Sequence, residues 1–530
     1  MASAMPLLTA NSTMPRALLV SEIFSHIISY VGTHQISTPV IDRITLHRRD
    51  PTTLSRRTLL ALALTCRAFA EQALDALWET IMHLAPLLRC AGIVLPPIPP
   101  PGFVREELHE DHCIIPTESQ LAIINRYAHR IRFLIMTHAS WQIHVEYFLQ
   151  TLVCSSKVLL PNLRSLFVDC NHFCHLVPPL LGPRLRHLTI KITYYENHEH
   201  YKGDEEDVLP AFDMVMRSLP SSCPSLESFK VYANYILGPW DVPTLALPLS
   251  HAIQNLHNLH SVVTPAITKD AMIHLGSLSS LTSLQTHLPT GSDLEDIFGS
   301  SRGPFLFENH ESVDWVIKEW RDTEVFTRLW PRKLTTMILR SDKITLGGGP
   351  LQVLFNSLHT REAFRHLQRI HLLDSYRCKR TSADTAITIE TIRPLFYLSH
   401  LQVVEFNTES CIDIDNDGLV EMAEAWPCLE VLSLNKDSGC RARNPVTLLG
   451  FVNFVDLCPR LKKLWITITW ADVHEDVEDM ESLLDLEGRR DSDLEYLKLY
   501  SPPKEKCTAC DWSSEVTVLI EKLFPRVVFE

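Results

Sequence analysis

Cys507-x-x-Cys510 has the spacing of half a zinc site or of a redox pair. Either use needs further ligands or a redox fold around it. No second Cys-x-x-Cys follows, and Cys440 is remote in sequence. His109-x-x-His112-Cys113 and Cys170-x-x-x-Cys174-His175 also bring metal-binding side chains close together along the chain. With 25 His and 14 Cys present, short groupings of this kind arise without a metal. Asn197-His198-Glu199-His200 lies in a polar stretch and reads as solvated. Gly347-Gly348-Gly349-Pro350 lacks the Lys-Ser/Thr that grips phosphate and metal, so it reads as a turn after a strand at Leu334–Leu339. No Gly-x-Ser-x-Gly elbow is present. The expectation is a non-enzymatic protein with no metal site and no cofactor. A metal-dependent enzyme built on the His/Cys groupings is the alternative from a different class.

The composition points the same way. The chain has 530 residues, 45% hydrophobic and 21% charged, which excludes a disordered protein and exceeds one compact core unless the chain is a repeat array. The formal charge of −14 argues against nucleic acid or an acidic membrane as the main partner. No apolar run approaches the roughly 18 residues of a spanning helix. The opening MASAMPLLTANSTMPRALLV has no charged start followed by an apolar core, so no signal peptide is expected. The cysteines follow no framework spacing, which suits buried thiols in a reducing compartment, cytoplasmic or nuclear.

Two amphipathic stretches stand at the front. Residues 1–17 have no periodicity and read as a flexible terminus. From Leu18, the residues Leu19, Ile23, Ile27 and Val31 recur every four positions, with Phe24 and Ile28 beside them, which is one face of a helix. Gly32 follows as a helix stop. Residues 33–57 are polar and basic, carry Pro39 and Pro51, and read as an inserted loop. Helical character resumes through Leu59–Leu64, and a further helix is expected over Arg67–Met82 with Phe69, Ala73, Leu77 and Ile81 aligned. Residues 83–124 read as a linker, with the stiff run Pro96–Pro101 and a helix starting at Thr117 and continuing to Tyr127.

From residue 125 to 530 the chain repeats an apolar-x-x-apolar-x-apolar segment. Copies begin at Ile131, Leu163, Leu185, Leu226, Leu334, Leu367, Leu401, Leu429, Leu461 and Leu494, with weaker copies at Leu259 and Leu281. The alternating end of each copy reads as a strand with one face turned inward. Helices between copies, such as Asp417–Trp426 and Leu448–Leu457, would cover the strand layer. No unit closes its own core, so neighbours must stack. Polar residues shortly after the strands, Asn171, Asn234, Asp342 and Asp437 among them, could bond the departing backbone. Residues 194–207 and 290–313 read as insertions. The stretch 472–495 holds eleven Asp or Glu against two Arg and reads as a solvated loop or an acidic lip. Trp465 and Trp470 could anchor a bound protein or equally fill the space between repeats.

Leu19-Val20-Ser21-Glu22-Ile23-Phe24-Ser25-His26-Ile27, then Thr65-Cys66-Arg67-Ala68-Phe69, then Leu77-Trp78, in that order and ahead of leucine-rich repeats, resembles an F-box protein of fungal type. Such proteins are substrate receptors of SCF-type ubiquitin ligases. The sequence departs from the pattern where Val20 replaces a proline, where Phe69 replaces a tryptophan, and in the loop of residues 33–57. The resemblance implies an α/β fold, with a helical F-box at residues 18–82 followed by an irregular leucine-rich-repeat solenoid with strands on the concave side and helices outside. It implies docking to a Skp-type adaptor, and through it to a cullin ligase, by Leu19, Val20, Glu22, Ile23, Ile27, Leu64, Cys66, Phe69 and Trp78. The repeats would bind a target protein for ubiquitin-dependent degradation. The alternative is a leucine-rich-repeat interaction scaffold whose divergent F-box does not engage the ligase.

Overall fold

A computed structural model describes residues 53–65, 67–94, 116–137, 145, 148–152, 158–169, 174–193, 205–234, 242–288, 297, 307–317, 332–341, 347–359, 364–374, 386–408, 410–435, 446–468, 493–500, 521, 523–524 and 527–529. The chain divides into two compact units, residues 1–226 and 227–530.

In the first unit, helices α1 (Thr53–Thr65) and α2 (Arg67–Glu79) form a pair. Helix α2 stops short of the expected end. Thr80–Ile81 leaves the helix as a short strand, β1, in parallel register with Phe133 and Leu134. β-Branched residues favour that extended geometry. Helix α3 (Ala85–Cys90) follows, then α4 (Glu118–Ala128). Thr117 caps α4 with a full capping box: its hydroxyl accepts from the Gln120 amide while the Gln120 side chain accepts from the Thr117 amide. Strands β2 (Phe133–Met136), β3 (Ser165–Asp169) and β4 (His187–Thr193) extend the parallel sheet, and helix α5 (Glu205–Ser222) lies beyond.

The second unit is a longer series of the same kind. Strands β5 (Ser228–Asn234), β6 (Ser261–Ala266), β7 (Ser283–His287), β8 (Ser312–Ile317), β9 (Thr336–Ser341) and β10 (Arg369–Asp374) pair in parallel, each with the next. The short strands β11 (Ile387–Thr388) and β13 (Ile412–Asp413) pair with each other apart from this sheet. The main series continues through β12 (Val403–Asn407), β14 (Val431–Leu434), β15 (Lys463–Thr467), β16 (Tyr496–Tyr500) and β17 (Val528–Phe529). Parallel strands need crossovers long enough for a helix. Helices at Val242–Gln254, Lys269–Ser277, Gly348–His359, Asn416–Ala425 and Leu448–Leu457 fill that role.

The repeat explains the core. All the expected leading residues, from Ile131 and Leu163 to Leu494, are at most 1% exposed. Behind each, alternate strand residues point inward in register: Val313 against Met337, then Ile370, Val404, Leu432 and Leu464. Each fully buried Leu or Val contributes about 1.5–3 kcal/mol over exposure. One backbone feature recurs. The residue after the leading apolar position donates its N–H to the carbonyl of its counterpart one copy earlier, as in Gln402 to Gln368 and Glu430 to Gln402, both 2.8 Å.

Further expectations are corrected here. Residues 53–57, read as the end of an inserted loop, belong to helix α1, and residues 205–207, read as part of an insertion, open helix α5. Residues 312–317, within and just beyond the stretch read as an insertion, form β8, a full member of the sheet. His310 stands where other copies carry leucine, so the apolar pattern was broken at its first position. Gly348-Gly349-Pro350 opens a helix rather than making a turn. A Cβ on Gly348 would sit 2.1 Å from the Ala386 carbonyl oxygen, so the glycine is there for close approach.

Candidate functional site

Helix α1 exposes one side and buries the other. Leu59 and Ala73 form the centre of the α1–α2 contact, with Leu62, Ala63, Phe69, Ala76 and Leu77 packed around them. Leu60 and Leu64 lie four residues apart on the opposite side, 47% and 78% exposed. Two apolar side chains on one open helix edge are the arrangement a partner's groove can accept.

Helix α2 is fixed to α4 and to the chain entering β2 through a different face. Glu71, Asp75 and Trp78 recur at i, i+4 and i+7. The Arg130 guanidinium is almost fully buried and pairs with both carboxylates, and it also donates to the Glu71 carbonyl at 3.2 Å. Arg130 holds the Glu71 carboxyl below its ordinary value by hydrogen bond and charge. Trp78 is 8% exposed, its ring 5.0 Å from that of Tyr127 in α4. Arg132 donates its amide to the Glu79 carbonyl at 2.9 Å where β1 meets β2.

The residues assigned to adaptor binding therefore occupy different places. Leu64 is open to solvent, Phe69 is half-buried in the α1–α2 contact, and Trp78 is buried against Tyr127. Leu19, Val20, Glu22, Ile23, Ile27 and Cys66 lie outside the described residues. So do Cys507, Cys510, His109, His112, Cys113, Cys170, Trp470 and most of residues 472–495.

The half-buried strand face of the second unit is polar and cross-linked. Arg340 makes a two-point contact with Asp314, at 2.7 and 2.9 Å. His371 Nδ1 lies 2.8 Å from Glu405. Lys463 sits 4.8 Å over the Tyr496 ring. Trp465, a candidate anchor, is 6% exposed and belongs to the packed interior.

Asn435 is the polar residue that sequence reasoning missed. Its φ is 57°, the left-handed conformation that Asn tolerates best after Gly. Its side-chain oxygen accepts from the Thr408 amide at 3.0 Å, and its amide nitrogen donates to the Ser410 carbonyl at 2.9 Å. It thus ties the exit of β14 to the exit of β12. The signal was an Asn six residues after Leu429, shortly after the strand, where polar residues were expected to bond the departing backbone.

Burial pushes the Cys223 and Cys458 thiols up to about 12 and raises Cys90, so all three stay protonated at neutral pH. Among the described residues, no group of three or more His, Cys, Asp or Glu is placed to hold a metal ion. Among them, too, no helix is long and apolar enough to cross a membrane. No known protein-family profile matches the chain. No curated protein matches it either.

Proposed function

We propose that this protein is a substrate-recognition subunit of an SCF-type ubiquitin ligase, working in the cytoplasm or nucleus. The N-terminal helices dock a Skp-type adaptor, and the leucine-rich-repeat strands hold a target protein. The protein supplies proximity and orientation and performs no chemistry of its own. The observation that carries this reading is the division of labour in α1 and α2. One face of the pair is clamped by Arg130 and Tyr127, while the Leu60–Leu64 edge faces outward. The order of F-box-like motif and repeats in the sequence supports it as well. Co-expression with a tagged adaptor tests it: the wild-type chain is retained and Leu64→Asp is lost. If folded Leu64→Asp and Ile23→Asp variants were both retained as well as wild type, docking by these helices would be wrong.

The departures at Val20 and Phe69 favour a second reading, an interaction scaffold that does not engage the ligase. Binding of purified adaptor to the purified chain separates the two.

A further inference from the structure

The open edge of α1 carries charge as well as apolar side chains. Arg57 lies three residues before Leu60 and seven before Leu64, so the three share one helix face, and all are exposed. Seven residues at about 1.5 Å each place Arg57 about 10 Å from Leu64 along the axis. Arg67, the first residue of α2, follows three positions after Leu64 and is exposed too. The apolar pair thus has a cation on either side along the chain. Among the described residues, neither guanidinium makes an ion pair or a hydrogen bond.

The carboxylates that could neutralise them are taken. Helix α1 has no acidic residue. In α2, Glu71 and Asp75 both pair with the buried Arg130, and Glu79 lies 3.6 Å from Arg132. Helix electrostatics does not favour the two free cations either. The N-terminal end of a helix carries partial positive charge, and Arg67 opens α2 while Arg57 stands in the early turns of α1. Neither first turn holds an acidic residue to offset this. Two unpaired arginines at unfavourable helix positions, in a chain of net charge −14, serve binding better than folding.

We propose that Arg57 and Arg67 are specificity determinants of the docking edge: the adaptor groove it enters has an apolar floor for Leu60 and Leu64 and a carboxylate at each end, one for each guanidinium. This rests on the reading of the N-terminal helices as an adaptor-docking element. Guanidinium forks recognise carboxylates by two-point contacts. Exposed pairs of this kind add little affinity apiece, but they steer the approach and reject partners of the wrong charge. Leu60 and Leu64 hold the complex together, while Arg57 and Arg67 select the partner and speed its arrival. An anionic membrane fits the edge less well. Two exposed leucines offer little apolar surface to insert, and the net charge of the chain repels such a surface.

Binding kinetics of a purified Skp-type adaptor on the immobilised full-length chain test this, at about 50 and about 500 mM salt. Wild type associates about fivefold or more faster at the lower salt, while dissociation changes less than about twofold. At low salt the double variant Arg57→Glu/Arg67→Glu associates about tenfold more slowly than wild type and loses the salt dependence, since each lost attraction becomes a repulsion. Arg57→Gln/Arg67→Gln, which only removes charge, slows association about threefold and melts at or above the wild-type temperature. Leu64→Ala does the reverse: it speeds dissociation and leaves association within about twofold. The equally charged control Lys333→Glu/Arg460→Glu, both exposed in the second unit, changes association less than about twofold. Wild-type association rates in both arginine variants, with Leu64→Ala still impaired, would overturn the charged ends and leave adaptor docking standing. No binding of the adaptor by wild type at either salt would overturn both. Tighter capture of the chain by phosphatidylserine vesicles than by the adaptor would overturn the choice of partner.

Discussion

His310 is a leucine position occupied by an imidazole, and replacing it should stabilise the protein most in mild acid. The residue is 1% exposed, and neither ring nitrogen has a hydrogen-bond partner. The Phe307 backbone lies close enough to favour the charged ring slightly, but burial dominates and pushes the imidazole down to about 4 from an ordinary value of 6.5. The sign comes from the proton balance. Between these values the unfolded chain binds the proton and the folded chain does not, so stability falls as pH drops through 6.5 and stops falling near 4. With one pKa unit equal to about 1.36 kcal/mol, lowering the pH from 8 to 5 removes about 2 kcal/mol through this one residue. His310→Leu restores the repeat pattern and removes that loss. Burying leucine in place of an unpartnered imidazole adds about 1 kcal/mol at neutral pH, set against the lost edge contact with Phe307 at 4.9 Å. Urea unfolding of both proteins at pH 8 and pH 5 measures the difference. The expected gap is about 1 kcal/mol at pH 8 and about 3 at pH 5. Other titrating groups cancel between the two proteins. A gap independent of pH would refute the burial argument.

Other substitutions read the stacking directly. Gly348→Ala places a methyl on the Ala386 carbonyl and should destabilise by about 1–3 kcal/mol in urea unfolding, a large effect for a glycine at a helix start. Asn435→Ala removes the acceptor for the Thr408 amide and the donor to Ser410, and should cost about 1–3 kcal/mol in the same assay. Arg130→Leu leaves Glu71 and Asp75 facing an apolar side chain. Hydrogen exchange in Arg67–Glu79 should quicken relative to wild type above about pH 5, and the difference should shrink as acid protonates the lowered Glu71.

The sheet was legible wherever the repeat kept its apolar residues. Leu163, Leu334, Leu401 and Leu461 mark strand entries by composition alone, because nothing but burial explains their spacing. The capped helix after Thr117 was legible for a similar local reason, with Thr and Gln three positions apart. Legibility failed where one long-range contact outweighed local pattern. His310 hid a strand because its identity is polar while its position is buried. Thr80–Ile81 continues the helical spacing of α2, yet pairing with β2 pulls it into a strand. Gly348 looked like a turn because the crowding that demands glycine comes from Ala386, 38 residues later. At the candidate site, the apolar spacing of Leu64, Phe69 and Trp78 was visible. Which of them faces a neighbour was not, since that depends on Tyr127 and Arg130.

The central claim is that the N-terminal helices capture a Skp-type adaptor. Hydrogen exchange by mass spectrometry on the full-length chain, with and without purified adaptor, tests it most directly. The account predicts that added adaptor slows exchange across Thr53–Thr65, around Leu60 and Leu64, and leaves β9 and β10 unchanged. No protection in that helix at saturating adaptor, or protection confined to the repeat strands, would contradict it.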